Sequence, residues 1–484
     1  MSEKDTQSPA TTSDAYDAML SVWRKVQTVL DGTEAMRTAG AAYLPQHENE
    51  GESAWRERLA CSTLFNLTQL TLDSWVGRPF GDPITFTDVP RQILDLLEDV
   101  DLEGHDVQVF SRYWFRDGLA KAFSHVLVDM PRIDEEQSRT LADDRLEGRR
   151  PYWVHLRPEQ VFFVEAEITQ GRETLREVRY YEDVTERKGF AEATVTQIRR
   201  LVRSEGQVSV DVYRKGRRRR GGKEEWLVVE QFVMDIDQIP LITFYADRDQ
   251  LLHGKSPIED LTNLNITHWQ SSADQRAILT VARFPMLAAS GSDPDAKITI
   301  GPHQLLYMPD PQGRFYYVEH TGAAIEAGRN DLRDLEGQMA EYGAEFLKRR
   351  PGSETATARA LDSAEATSPL QDVTMRFADA LTEVLALTAR WLRLPTGGAA
   401  TLSTDFGPEV SDPAELTTLQ LTRQQRDISR RAHLTELKRR AILSDEFDID
   451  EDAAQLEQES MDLFGGVPTP LPTLPKEEEE NAAM

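Results

Sequence analysis

Between Ala323 and Leu394 two long helical patterns meet at a three-residue break, Pro351-Gly352-Ser353, and no other stretch constrains the fold as strongly. Before the break, Leu332, Leu335, Met339, Tyr342 and Phe346 recur at helical spacing, so one apolar stripe faces a neighbour and the charged remainder faces water. After it, Ser353 is placed as an N-cap with Glu354 in an acidic first turn, short of a full capping box. Leu370, Val373, Phe377, Leu381, Val384, Thr388 and Trp391 then mark one face, and Pro369, inside that pattern, is expected to bend the helix or restart it. Unbroken from Glu354 to Leu394, that helix would span roughly 60 Å at about 1.5 Å per residue. A large body has to surround it.

With 484 residues the chain has room for two to four domains or one elaborate one. It is 39% hydrophobic with a mean hydropathy of −0.51, so long surfaces are either solvated or shared with partners. The single cysteine, Cys61, excludes an intrachain disulfide and a cysteine-rich metal site, and points to a reducing compartment. No apolar run approaches the ~18 residues of a membrane helix, and residues 1–12 lack a signal-peptide pattern, so neither secretion by that route nor anchoring is expected. The formal charge of −28 argues against tight, static nucleic-acid binding over the whole surface and leaves local contact open.

Taken in order, residues 1–12 read as disordered, and Ser13 caps an amphipathic helix to Leu30 carrying Tyr16, Met19, Leu20, Trp23, Val26 and Leu30. An extended stretch at 42–45 leads to a helix over 53–75, in which Cys61 reads as a small core residue. A short strand at 83–86 and helices at 90–100 and 106–123 follow, the latter with Val109, Tyr113, Phe115 and Leu119 as core candidates. A strand is expected at 125–129 and a charged loop at 141–150. From Tyr152 to Tyr245 the pattern is β, with runs at 152–156, 161–164, 175–181, 208–213, 226–232 and 241–245. The basic run Arg214–Lys223, including Arg217, Arg218, Arg219 and Arg220, lies between two of these as a hairpin tip, either solvated or phosphate-binding. A helix over 257–282 precedes short strands at 286–289, 298–300, 305–308 and 315–318, with a turn at Pro309-Asp310-Pro311-Gln312-Gly313. A strand at 402–406, helices at 413–423 and 429–442, and an acidic stretch at 445–462 ending in a last helical turn complete the ordered pattern; residues 465–484 read as a disordered acidic tail. Helix, sheet, helix implies an α+β body.

Chemistry is sparse. His253-Gly254-Lys255-Ser256 ends like a phosphate loop, but Asp249 occupies the place of the first glycine and Pro257 follows at once, so Ser256 and Pro257 read more simply as a helix start. Among nine histidines there is no HExxH, and His268 reads as a packed or surface residue. Asp448, Asp450, Glu451 and Asp452 read as a solvated acidic turn rather than a two-metal site. No enzyme signature, cofactor or metal is expected.

Residues 254–257 (GKSP) leading to 260–265 (DLTNLN) and 269–274 (WQSSAD), then Phe284-Pro285, 353–358 (SETATA) and 368–371 (SPLQ), resemble the portal proteins of tailed bacteriophages. Tyr43-Leu44-Pro45 and residues 66–77 are similar to the same family, and the likeness covers roughly 14–460. It implies a ring, usually of twelve subunits, at one capsid vertex of the virion, assembled in the host cytoplasm and enclosing a channel for double-stranded DNA. Its parts would be a wing (13–252), a first stem helix (256–282), a small β clip (283–320), a second stem helix (323–349), a channel loop (350–354), a long kinked helix (355–394) and a helical crown region (395–464). The clip turn, with Pro309, Asp310, Gln312, Gly313 and Arg314, would dock the terminase packaging motor and later a head-tail adaptor; the capsid or scaffold protein would be a further partner.

A channel must guide a polyanion without holding it, because each neutralised phosphate strengthens binding through counterion release. An acidic subunit supplies repulsive walls. Lys348, Arg349 and Arg350, beside Pro351, Gly352, Ser353 and Glu354, would then make brief phosphate contacts, or else cap a helix C-terminus, where cations are favoured. A nucleotide- or metal-dependent enzyme and another virion structural protein, such as an adaptor, are the rival readings.

Overall fold

A computed structural model describes residues 8–131, 149–169, 171–217, 224–283, 286–290, 311–318, 322–345, 368–404, 406, 413–439, 442–443 and 447–463. The fold is α+β and divides into two compact units, 1–404 and 405–484.

The first unit opens with α1 (Asp14–Leu30), where the extended Ser13 accepts the Tyr16 N–H at 3.2 Å and the buried face carries Tyr16, Met19, Trp23, Val26 and Val29. After α2 (Thr33–Ala39), the helix expected over 53–75 is two helices, α3 (Glu52–Cys61) and α4 (Leu67–Gly77). Ser62 is extended, and Asn66 restarts the chain by accepting the Gln69 N–H at 3.0 Å while donating to Val29 O at 2.7 Å. Cys61, at the end of α3, is exposed and not a core residue.

The strand β1 (Thr85–Thr87), the short α5 (Arg91–Leu94) and α6 (Val107–Lys121) lead into β2 (Phe123–Asp129), which is buried at every position. On α6 the inward face is Phe110, Trp114, Phe115 and Leu119; Val109 and Tyr113, two of the expected core residues, are 39% and 57% exposed. β2 lies between β3 (Tyr152–Leu156) and β9 (Leu241–Tyr245) in an antiparallel sheet, so both of its edges and both of its faces are covered.

Between β3 and β9 runs an antiparallel meander of β4 (Val161–Thr169), β5 (Arg172–Lys188), β6 (Ala191–Ser204), β7 (Gln207–Gly216) and β8 (Glu225–Met234). Val178, Tyr180, Ile198, Leu201, Val208, Val210 and Val212 pack from it into the core around Tyr16, Met19, Trp23 and Phe162. The sequence pattern omits β6. Its charged residues are neutralised by neighbouring strands: Glu177 meets Arg200 at 2.9 Å and Asp211 meets it at 3.3 Å, so the strand is completed by partners far away in sequence.

Next come α7 (Glu259–Ala282), β10 (Met286–Ser290), β11 (Arg314–Val318) and α8 (Ala323–Glu345). The helix α9 (Pro369–Trp391) starts independently: Ser368 is extended and forms a full capping box with Gln371, and Pro369 occupies the first turn, where its missing N–H costs nothing. Pro369 therefore begins a helix, and the earlier part of the long helix expected over 355–394, residues 355–367, falls outside the described residues. At the other end Trp391 donates to Val128 O at 2.9 Å, and Trp153 donates to Thr388 Oγ1 at 3.0 Å, fixing α9 to β2 and β3. β12 (Ala399–Thr401), earlier than the strand expected at 402–406, pairs with β1 because Gly398, at φ +75°, turns the chain there.

The second unit contains α10 (Pro413–Gln424), α11 (Arg430–Arg439) and α12 (Ile449–Leu463). The acidic stretch expected to end in one helical turn forms a 15-residue helix. Arg430 and Arg431 pair with Asp452 and Asp450 on it.

Candidate functional site

The feature with the strongest functional geometry is the pair α7 and α8. Tyr342 donates to Pro257 O at 3.1 Å, His268 Nε2 lies 3.4 Å from Glu336, Ser271 donates to Asp331 at 2.6 Å, and Gln275 donates to Ile325 O at 2.8 Å. Partner numbers fall on one helix as they rise on the other, so the two run antiparallel over almost their full length. At 24 residues α7 is about 36 Å long.

Two glycines of α8 lie at contacts, Gly328 against Gln275 of α7 and Gly343 against Thr71 of α4. A methyl at Gly328 would lie 2.1 Å from Gln275 Oε1, and one at Gly343 would lie 3.1 Å from Thr71, where α8 also accepts the Trp75 indole N–H at 3.1 Å. The root of α7 is held by a buried polar cluster: Asn265 Oδ1 accepts from Thr68 N and Oγ1 at 3.0 and 2.9 Å, and Asn265 Nδ2 donates to Phe65 O at 2.8 Å. Arg58, almost wholly buried, joins Glu50 at 2.6 Å and Asp274 at 2.9 Å. Its guanidinium holds the Glu50 carboxyl down to about 2.

α8 is thinly covered. Among its described side chains Leu335 and Met339 are buried, while its sequence carries six carboxylates (Glu326, Asp331, Asp334, Glu336, Glu341, Glu345) against Arg329 and Arg333. Its outer surface is therefore acidic and solvated.

The far ends of the pair lead to β10 and β11, which pair antiparallel with Met286 opposite Val318 and Ser290 opposite Arg314. Of the expected clip residues, Gln312 lies in a turn, Gly313 follows it and Arg314 opens β11, its N–H reaching Ser290 Oγ at 3.4 Å; Pro309 and Asp310 fall outside the described residues. So do Lys348, Arg349, Arg350, Pro351, Gly352, Ser353 and Glu354, and the strands expected at 298–300 and 305–308. In the basic run, β7 and β8 form the hairpin on which it sits, with Gly216 opposite Glu225. Arg217 lies 3.6 Å from Glu224 across the hairpin base, and Arg218, Arg219 and Arg220 are outside the described residues.

The phosphate-loop candidate is a structural joint. A Cβ at Gly254 would sit 2.1 Å from Asp247 O, so the glycine is required by close backbone approach. The buried Ser256 hydroxyl donates to Ala120 O at 2.7 Å, and Lys255 is engaged by Asp260 at 2.7 Å. Neither side chain faces an anion cradle.

A cavity of about 620 Å³ is walled by α6, β3 and the 101–105 loop. Asp101, Glu103 and His105 bring three ligand-type atoms within 4.8 Å of one another there. Asp101 already accepts the N–H groups of Glu103 at 2.9 Å and His105 at 3.3 Å and pairs with His105 Nδ1 at 2.7 Å, so the group braces its own loop.

His155, which lines this cavity, and the fully buried His125 lie on adjacent strands, and neither Nε2 has a hydrogen-bond partner. Burial, and then the neighbouring His155, push His125 down to about 3, and burial lowers His155 as well. Both groups bind a proton in the unfolded chain at a pH where the folded chain does not. The contribution of His125 is therefore full above the ordinary histidine value of about 6.5 and falls as pH drops toward 3, by ~1.4 kcal/mol per pH unit, and His155 acts in the same direction. In urea titrations at pH 7, 6 and 5, His125→Asn is expected to remove about one proton's share of that slope; an unchanged slope would refute the assignment.

Residues 257–392 match a family described as a domain of unknown function (DUF4055), a span that begins at α7 and ends after α9. No curated protein matches the chain. Solved structures similar over 90% of the chain include the neck of a native GTA particle computed with C12 symmetry, at 13% identity over 100% of that chain with a TM-score of 0.35. The neck of an empty GTA particle computed with C6 symmetry matches at 13% identity over 99% of that chain with a TM-score of 0.38. The virion of a native gene transfer agent particle matches at 14% identity over 99% of that chain with a TM-score of 0.33.

Proposed function

We propose that this chain is the portal subunit of a tailed phage or phage-like particle: a structural protein, not an enzyme, that assembles into a ring at one capsid vertex and surrounds the passage for double-stranded DNA. The observation that carries the reading is the antiparallel pair α7 and α8, held by polar contacts along its length, with the β10–β11 ladder at its far end and α9 returning to the body. In a ring, α7 and α8 are the stem, β10–β11 belongs to the clip at 283–320, the body before α7 is the wing and the second unit lies in the crown region. The acidic face of α8 keeps the duplex mobile, because a wall that neutralises few phosphates releases few counterions. Lys348, Arg349 and Arg350 provide the local cations, and the clip turn around Gln312, Gly313 and Arg314 docks first the packaging motor and later the head-tail adaptor. Engagement of Lys255 by Asp260 and of Ser256 by Ala120 O supports the structural reading over the nucleotide-enzyme alternative.

Electron microscopy of the purified protein is expected to show rings with a central hole; a monomer with ATP- or metal-dependent turnover refutes the proposal. The triple Lys348, Arg349, Arg350→Ala variant is expected to form the same rings while altering DNA packaging or retention. Normal packaging by that variant would remove the three cations from the mechanism.

A further inference from the structure

The sheet β3–β2–β9 ends on β9, and among the described residues no strand pairs with the outer edge of β9. Val128 N donates to Pro240 O at 2.9 Å and Ala246 N to Ala122 O at 2.8 Å, so in the antiparallel register the residues that face β2 are Pro240, Ile242, Phe244 and Ala246. Leu241, Thr243 and Tyr245 alternate with them and turn their N–H and C=O groups to the outer edge, where they meet no backbone partner among the described residues. A row of unpaired backbone donors and acceptors is a template for a further strand.

That edge opens into a groove. Cavities of about 520 and 440 Å³ adjoin it and share Thr243, Tyr245, Arg248 and Glu383. α9 walls the Phe244 face, where Phe377 meets Phe244 edge-on at 5.0 Å, and the start of β5 walls the Tyr245 face, where Arg248 lies over the Tyr245 ring at 5.1 Å and reaches Glu173 at 2.7 Å. Between Arg376 and Arg390, its limits along α9, the groove runs about 21 Å at ~1.5 Å per residue, the length of about six residues of extended chain. Its charges are unbalanced. Arg248, Arg390 and Arg376 are engaged in place, by Glu173, by Asp237 at 3.1 Å and by Ala246 O at 2.7 Å. Asp247, Asp379 and Glu383 line the smaller cavity together and pair with no cation among the described residues, and Arg172, the remaining cation, lines only the larger one. Desolvation, and then Asp379, raise the Glu383 carboxyl above its ordinary value, as expected of a carboxylate without a counter-charge.

We propose that the outer edge of β9 receives an extended segment of a separate polypeptide as an added strand, with a lysine or arginine of that segment set among Asp247, Asp379 and Glu383. Main-chain bonds to Leu241, Thr243 and Tyr245 hold the segment, and the carboxylates select its register. This docking site does not depend on the ring reading above.

Hydrogen exchange on the full-length chain, resolved to single amides and repeated with the capped hexapeptide acetyl-TVKVTV-amide, tests it. The amides of Leu241, Thr243 and Tyr245 are expected to exchange rapidly in the free chain and to slow by about tenfold or more with the peptide, while those of Ile242 and Phe244, which face β2, are slow in both. In fluorescence anisotropy the peptide with glutamate in place of its lysine is expected to bind about tenfold more weakly, and Glu383→Lys, which alters an exposed side chain, is expected to reverse that order. Slow exchange at 241, 243 and 245 in the free chain overturns the proposal, because the edge is then already covered; if that slowing grows with protein concentration, the occupant is a second copy. A peptide that leaves these three amides fast, or that binds equally well with lysine or glutamate, also overturns it. Each of these outcomes leaves the ring reading standing.

Discussion

Gly118→Ala is expected to destabilise the first unit by about 3 kcal/mol, the upper range for forcing an extra methyl into a packed core. The new Cβ would sit 2.3 Å from Phe244 Cε1 and 3.2 Å from Ser124 Oγ. Phe244 has nowhere to retreat: its ring is stacked on Phe115 at 5.5 Å and meets Phe377 edge-on at 5.0 Å and Trp114 at 6.2 Å. That cluster joins α6, β9 and α9, so strain there is felt by three elements at once. Denaturant midpoints measure the loss, and Gly118→Ala combined with Phe244→Leu is expected to recover part of it by opening space under the methyl. A single variant as stable as the wild type would show that the helix and strand separate at little cost.

The second large effect is expected at Asp129. Its carboxylate, 6% exposed, lies 3.0 Å from Arg199 Nη1, itself 11% exposed, and it also accepts the Met130 N–H at 2.8 Å. Asp129→Ala leaves the guanidinium with the Tyr180 hydroxyl at 3.0 Å and Glu182 at 3.6 Å, neither a full replacement for a buried counter-charge. A loss of ~3–5 kcal/mol is expected, because the remaining charge stays desolvated. Asp129→Ala with Arg199→Met should cost less than Asp129→Ala alone, since the double variant strands no charge. Additive losses in that cycle would show that the two residues act separately.

Both predictions concern contacts that a linear pattern cannot reveal, and the same reason divides what the sequence disclosed from what it did not. The apolar stripe of α1, the cap at Ser13, the basic hairpin between β7 and β8 and the helix pair around 257–345 follow from local periodicity and turn chemistry, which act over a few residues. β6 was hidden because its arginines look like a solvated run until Glu177 and Asp211 arrive from adjacent strands. The division between α3 and α4 was hidden because a side chain, Asn66, interrupts an otherwise acceptable helical pattern by bonding Val29 on another helix. On α6 Phe115 and Leu119 are buried as expected, but the first half of the inward face is Phe110 and Trp114, one residue on from Val109 and Tyr113, which turn to solvent. For the candidate site, sequence supplied the residues of the helix pair but not their contacts: Gly328 and Gly343 carry meaning only when Gln275 of α7 and Thr71 of α4 are placed against them.

The start of α9 has a mechanical consequence. The end of α8 and the start of α9 are anchored by contacts of different construction. On one side, the end of α8 is tied through Gly343 O to Trp75 and through the Tyr342 hydroxyl to Pro257 O. On the other, Gln371 closes its capping box with Ser368 and also donates to Thr404 O at 2.7 Å, so the first turn of α9 is bonded to the chain beyond β12. Force on the end of α8 is therefore delivered to α4 and, across one contact of the helix pair, to the start of α7, whereas force on the start of α9 is delivered to the chain beyond β12. The two ends therefore pass load to different parts of the first unit, one to the helix pair and α4, the other to the chain beyond β12.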